Sequence, residues 1–276
     1  RDVFAIGSEA GGVASHEDER SRHAGEPGAE HKERIDSGAA AAAAGGVTSM
    51  AVLPNTDPPI DDPAMVEFVA RRARQVKLGK VYPYAAITKQ LKGEELAEIG
   101  LLKAAGAVAF TDGERALANA RVMRRALAYA ATFDALVVGH AEDPELTRDT
   151  AVTEGEFATR LGLPAAHPLA ETMMVERDLR LVEMTRAPLH FAHVSTAAAV
   201  DAIRRAKRAG LPVTCDTAPF YFALNELAVG DPARRGVGRR ELDGGGCPPE
   251  LAEGRADLAV ERGRDQRQRV GRGPGI

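Results

Sequence analysis

Leu189-His190-Phe191-Ala192-His193-Val194-Ser195-Thr196 decides the fold. Apolar Leu189 and Phe191 alternate with His190, and the run closes on His193. Such alternation marks a strand, because successive side chains leave a strand on opposite faces. Ser195 and Thr196 follow as candidate N-caps, and the Ala-rich run Ala197–Ala209 continues as an amphipathic helix closed by Gly210 and Pro212. The stretch therefore predicts a buried strand that carries a histidine to its carboxyl end and turns at once into a helix. On the alternation, His190 is expected to face away from the residues at the strand end.

The same grammar recurs upstream. Leu136-Val137-Val138-Gly139 leads to His140, and Ala107–Thr111 leads to Asp112. Further strands are expected at Val47–Leu53, Val81–Ile87 and Leu211–Asp216. Between them lie helical patterns at Glu30–Ala44, from Asp62-Pro63 to about Leu78, at Glu94–Ala105, from Asn119 to Ala131, around Glu154–Leu161 and at Ala170–Thr185. Asp62 before Pro63, and Asn119 before its run, have the character of N-caps. Strands alternating with helices imply a parallel sheet with right-handed crossovers. A (β/α)8 barrel and an open doubly wound sheet both satisfy that pattern. Six readable strands do not close an eight-stranded barrel.

Composition narrows the classes. The 276 residues carry a net charge of −4, which gives no general attraction to nucleic acid or anionic membranes. No apolar run is long enough to span a membrane, and no secretory leader is recognisable, so neither a nucleic-acid nor a membrane partner is expected. Two cysteines, Cys215 and Cys247, make no disulfide framework; a cytoplasmic setting is expected, with Cys215 a structural thiol. Segments 1–28 and 232–276 lack any apolar period and are expected to be aberrant or disordered, leaving 29–231 as the folded unit.

The residues expected at the strand ends are Asn55, Thr88, Asp112, His140, His193 and Asp216. In a barrel such ends converge on one face, where active sites lie. Two imidazoles and a carboxylate meeting there suit zinc, which takes nitrogen and oxygen ligands and lowers the pKa of bound water. Singly, each has a bland reading: a histidine at a strand end is more often a hydrogen-bonded loop residue, Asp112 beside Gly113 could cap a turn, and Asp216 could be a structural loop residue. Three ligand-type residues at three strand ends favour a site. His16, His31 and His167 lack that placement. No nucleophile elbow, P-loop or dinucleotide fingerprint is present.

Several stretches together resemble the class I dihydroorotases of the amidohydrolase superfamily. They are Glu26-Pro-Gly-Ala-Glu-His-Lys-Glu33, Ala43-Ala-Gly-Gly-Val-Thr48, Leu53-Pro-Asn-Thr-Asp-Pro58, Val108-Ala-Phe-Thr-Asp-Gly113, Asn119–Ala126, Glu154–Gly162 and His193-Val-Ser-Thr196. The resemblance implies an amidohydrolase-type TIM barrel, here incomplete because the first and last strands are not recognisable. It implies one or two Zn2+ ions and the reversible cyclisation of N-carbamoyl-L-aspartate to dihydroorotate in pyrimidine biosynthesis. In hydrolysis, hydroxide on the metal attacks the polarised ring amide. By motif, His23, Asp112, His140 and His193 match metal ligands, and Asn55 matches the asparagine that holds the substrate carboxylate.

The departures are at the two ends. The family's first strand ends in His-x-His-x-Arg; here Ser21 falls on the first histidine, His23 on the second and Gly25 on the arginine. The catalytic aspartate of the family's last strand has no counterpart, and Phe220 stands where a histidine is common. Displaced reading frames at both ends and a genuine degenerate paralogue explain these departures equally. Impaired turnover is the expectation. The alternative is a non-catalytic dihydroorotase-like subunit that scaffolds aspartate carbamoyltransferase, and a homo-oligomer is compatible with either.

Overall fold

The structure, a computed structural model, describes residues 25–218 and residue 221. His23, Ser21, Phe220, Cys247, His16 and the segment 232–276 lie outside the described residues. In chain order the elements are α1 (Ile35–Ala44), β1 (Ser49–Val52), α2 (Pro63–Gln75), β2 (Lys80–Ala85), α3 (Ile99–Ala105), β3 (Ala109–Phe110), α4 (Ala120–Ala131) and β4 (Val137–His140). Then follow β5 (Val152–Thr153), α5 (Glu156–Leu161), β6 (Ala165–Ala166), α6 (Leu169–Thr185), β7 (Leu189–Ala192), α7 (Ala197–Arg208) and β8 (Val213–Cys215).

The helix starts follow local chemistry. Asp62 accepts from the Ala64 N–H at 2.8 Å, with Pro63 in the first turn of α2. Asn119 accepts from Arg121 and Val122 at the head of α4. Thr196 caps α7 through the Ala199 N–H at 3.3 Å. Gly106, at φ 115°, closes α3 in a conformation that side chains disfavour. Two helices start later than the sequence pattern predicts. Glu30–Lys32 forms turns before α1, and a 3-10 turn at Lys89–Leu91 precedes α3.

The six expected strands form one parallel sheet in the order β1-β2-β3-β4-β7-β8. That order resolves the choice the sequence left open. A doubly wound sheet reverses its strand order at a switch point, and this sheet never does. Successive crossovers of one hand then place the helices on one face, and the sheet curls with the other face inward as a partial barrel. Val52, Phe110, Val137, Leu189, Phe191 and Val213 pack outward into the helical core. Alternate residues of the same strands, Ala51, Tyr84, Ala109, Val138 and Ala192, form a smaller inner cluster. Cys215 packs against the edge of the outer core.

Before α1, Glu26 is buried and accepts from the Ile35 N–H at 3.1 Å. It also pairs with Arg72 of α2, fixing the approach to the first helix. Gly25, where the resemblance expects an arginine, lies in a turn whose N–H donates to the Glu33 carbonyl at 2.8 Å.

Candidate active site

His140 ends β4, and His193 follows β7 by one residue. These strands are hydrogen-bonded neighbours, with Val138 opposite His190 and His140 opposite Ala192. The pairing brings His140 Nδ1 to 3.3 Å from His193 Nε2, with ring centroids 4.8 Å apart. His193 holds a left-handed backbone at φ 42°, which persists only where its surroundings over-determine it. They do so from two sides. Asp216, just beyond β8, accepts from the His193 N–H through its carboxylate and from the Val194 N–H through its carbonyl. Glu171 of α6 accepts from Ser195 N (2.8 Å), Ser195 Oγ (3.1 Å), Thr196 N (2.8 Å) and Thr196 Oγ1.

Glu142 Oε2 lies 2.8 Å from His140 Nε2. A carboxylate on that nitrogen fixes the ring proton there and leaves the Nδ1 lone pair facing His193. Burial pushes His193 down to about 4, and a second proton on the His140 ring would act in the same direction. The His193 ring is therefore neutral, the form that binds metals. Two nitrogens each about 2.0–2.1 Å from a tetrahedral zinc stand about 3.3 Å from one another. The histidine pair fits such an ion. Among the described residues, no group of three or more His, Cys, Asp or Glu is placed to hold one.

Asp112 is turned elsewhere. Its Oδ1 accepts from the N–H groups of Ile87 and Thr88, each at 2.9 Å, and its Oδ2 accepts from the Thr88 hydroxyl. It thus straps the end of β3 to the residues after β2. Burial raises its pKa, and the bonds from Thr88 and Ile87 offset part of that rise. Asp112 and His140 line one small cavity together with Arg115 and Asp178, but the carboxylate is not gathered with the two rings. Asn55 follows β1, and its Oδ1 is buried without a partner among the described residues. The loop after β3 lies against it: a Cβ built on Gly113, at φ 70°, would stand 3.4 Å from Asn55 Cγ.

His190 corrects the sequence reading. It does not face away: its Nε2 lies 3.2 Å from Asp216 Oδ2 and its Nδ1 2.8 Å from Thr214 Oγ1. Burial alone would raise Asp216, but the bond and charge of His190 and the His193 N–H outweigh it and hold the carboxyl below its usual range. The reason lies in the two faces of the sheet. Leu189 and Phe191 point to the helices, so the residue between them points inward. His167 lies in the loop between β6 and α6, yet it lines the same cleft as His140 and His193. That cleft runs from the paired histidines to Thr147, Thr150 and Thr153. Glu171 and Glu142 were not anticipated, although Glu142 lies only two residues beyond a strand-end histidine.

A curled parallel sheet in chain order, with histidines on the ends of adjacent strands, makes a partial β/α barrel with a histidine pair at its strand ends. The solved L-hydantoinase from Arthrobacter aurescens superposes with a TM-score of 0.58 at 20% identity, over 71% of this chain and 45% of that one. Dihydropyrimidinase from Brevibacillus agri gives 0.56 at 22%, over 74% and 46%. Both express a likeness of fold. Residues 19–199 match the family model described as dihydro-orotase-like. Dihydroorotase from Desulforapulum autotrophicum is 50% identical over 209 residues, covering 76% of this chain and 49% of its own length. That from Syntrophotalea carbinolica is 50% identical over 207 residues, covering 75% and 49%. The chain belongs to the dihydroorotase-like family of cyclic amide hydrolases, and it spans about half the length of these curated relatives.

Proposed function

We propose that this chain carries part of a dihydroorotase centre, one that interconverts dihydroorotate and N-carbamoyl-L-aspartate in cytoplasmic pyrimidine synthesis. The observation that carries the reading is the 3.3 Å approach of His140 Nδ1 and His193 Nε2 at adjacent strand ends of a dihydroorotase-like chain. Zinc is the metal proposed, as one or two ions, with His140 and His193 as ligands and His23 as a further ligand by resemblance. When bound, zinc supplies polarisation of the amide carbonyl and a water acidified to near neutrality.

The chain's own residues do the rest. Glu142 orients His140 and fixes its tautomer. Asp216 and Glu171 hold the turn that presents His193. The Asn55 amide N–H donates to the substrate carboxylate. Asp112, matched to a metal carboxylate by resemblance, has geometry that supports a strap between β2 and β3 instead.

Turnover by this chain is proposed to be low. Ser21 stands at a ligand position, and the family's proton-transferring aspartate has no counterpart, a loss of about 10²–10⁴-fold in rate. Those substitutions, together with the commitment of Asp112 to β2, favour a second reading: a non-catalytic subunit that binds aspartate carbamoyltransferase. Zinc titration and dihydroorotate hydrolysis on the full chain test the first reading. Zinc uptake that disappears in His140→Ala and His193→Ala is expected, with weak hydrolysis. No zinc uptake would overturn the metal centre, and turnover at the level of the curated relatives would overturn the impairment. Co-purification of the transferase with a zinc-free chain would establish the second reading.

A further inference from the structure

Between β4 and α6 the strand–helix repeat is interrupted. In the other complete units no further strand separates a strand from its helix, whereas here β5, α5 and β6 intervene. This excursion stands beside the paired histidines, and Thr147, Thr150, Thr153 and His167 line the same cleft as His140 and His193.

The three threonines differ in what their hydroxyls do. Thr147 Oγ1 donates to the Asp143 carbonyl at 2.9 Å, and Thr150 Oγ1 donates to the Thr147 carbonyl at 2.8 Å. Both hold the loop to itself. Thr153 Oγ1 is buried and meets no partner among the described residues. Native structures leave few buried polar groups in that state, and each asks for an explanation. Among the described residues, two other side-chain atoms share that state. Asn55 Oδ1 follows β1 on the site face, and Arg177 Nη2 lies 2.7 Å from Asp178 Oδ1. Thr153 is also held firmly. Val152 pairs with Ala165 and Thr153 with Ala166, the Glu154 N–H donates to the Ala166 carbonyl at 2.8 Å, and the Val152 side chain is buried.

We propose that Thr153 is a specificity-determining residue whose hydroxyl donates a hydrogen bond to an oxygen of the bound cyclic ureide, or of the carbamoyl acid it opens to. The inference rests on the dihydroorotase reading and adds which side chain of the excursion reads the ligand. A hydroxyl held in place with nothing to bond donates to a ligand oxygen without first breaking an internal bond. A site built in this way rejects an analogue that lacks the oxygen, because the hydroxyl is then stranded again.

Isothermal titration of the full chain with L-dihydroorotate and with N-carbamoyl-L-aspartate tests this, using wild type, Thr153→Val and Thr153→Ser. Valine keeps the shape and removes the hydroxyl. The expected result has two parts. T153V melts at or above the wild-type temperature, since no internal bond is lost, and binds about 3- to 10-fold more weakly. T153S binds like wild type. T153V binding as tightly as wild type overturns the assignment of Thr153 and leaves the dihydroorotase reading intact. T153V melting clearly below wild type shows a structural bond and overturns it as well. A wild-type chain that binds neither ligand overturns the dihydroorotase reading, and this inference with it.

Discussion

Replacing Asp112 separates a strap from a metal ligand. In Asp112→Ala the N–H groups of Ile87 and Thr88 lose their only described acceptor, at residues that are 2% and 0% exposed. Each stranded donor costs about 1–3 kcal/mol, so the loss is about 2–6 kcal/mol of a total near 5–15 kcal/mol. For a domain of this size, melting falls by about 2–4 °C per kcal/mol, or roughly 5–20 °C. Asp112→Asn keeps an oxygen where both N–H groups converge, and the Thr88 hydroxyl turns to accept from the new amide. Only the gain from a charged acceptor is lost, about 1 kcal/mol. Thermal melting followed by circular dichroism, with a chelator present, keeps metal linkage out of the comparison. Zinc content measured separately should be unchanged in D112N. If D112A melts within a degree of wild type while D112N loses its zinc, the strap is refuted and Asp112 is a ligand.

Asp178 gives a pH test. It is buried in α6, and burial pushes its carboxyl up to about 6 against the opposing influence of Arg177. A group raised in the folded state contributes stability that is full below its unfolded value of 3.8 and is lost as pH rises through about 6. Asp178→Asn should flatten the denaturation profile across that window; an unchanged slope would show that Asp178 titrates normally. Phe191 is fully buried on the outer face of β7, so Phe191→Ala should cost about 3–5 kcal/mol by chemical denaturation. A cost below 1 kcal/mol would mean that the sheet and helices do not pack as described.

The strand ends were legible because each strand is a short, mostly apolar run that gives way to polar, glycine or proline residues within a few positions. His140 and His193 could be placed from spacing alone. Their meeting could not, since it depends on β4 pairing with β7 across the intervening excursion. The His190 misreading has a definite cause. Alternation tells which residues share a face but not which face is the site, and here the inner face takes the polar residue. For Asp112, position in the chain was right, but a carboxylate at a strand end can turn inward or back onto the neighbouring strand, and only the Ile87 and Thr88 N–H groups decide it. The two-residue strands β5 and β6 are too short to show a period, so the element that carries Thr153 was invisible.

The interruption between β4 and α6 also bears on the order of folding. His140 and His193 are 53 residues apart in sequence. Neighbouring strands elsewhere, such as β7 and β8, close over roughly half that length, so uniting β4 with β7 costs about 0.6 kcal/mol more in chain entropy. The difference is small for stability and larger for kinetics, because distant pairings form late. Chain entropy alone predicts that the two imidazoles meet late in folding, a prediction that refolding kinetics of β4 and β7 core variants would check. An ion that binds both rings acts on that closure, and its effect should appear in the rate at which the assembled sheet comes apart.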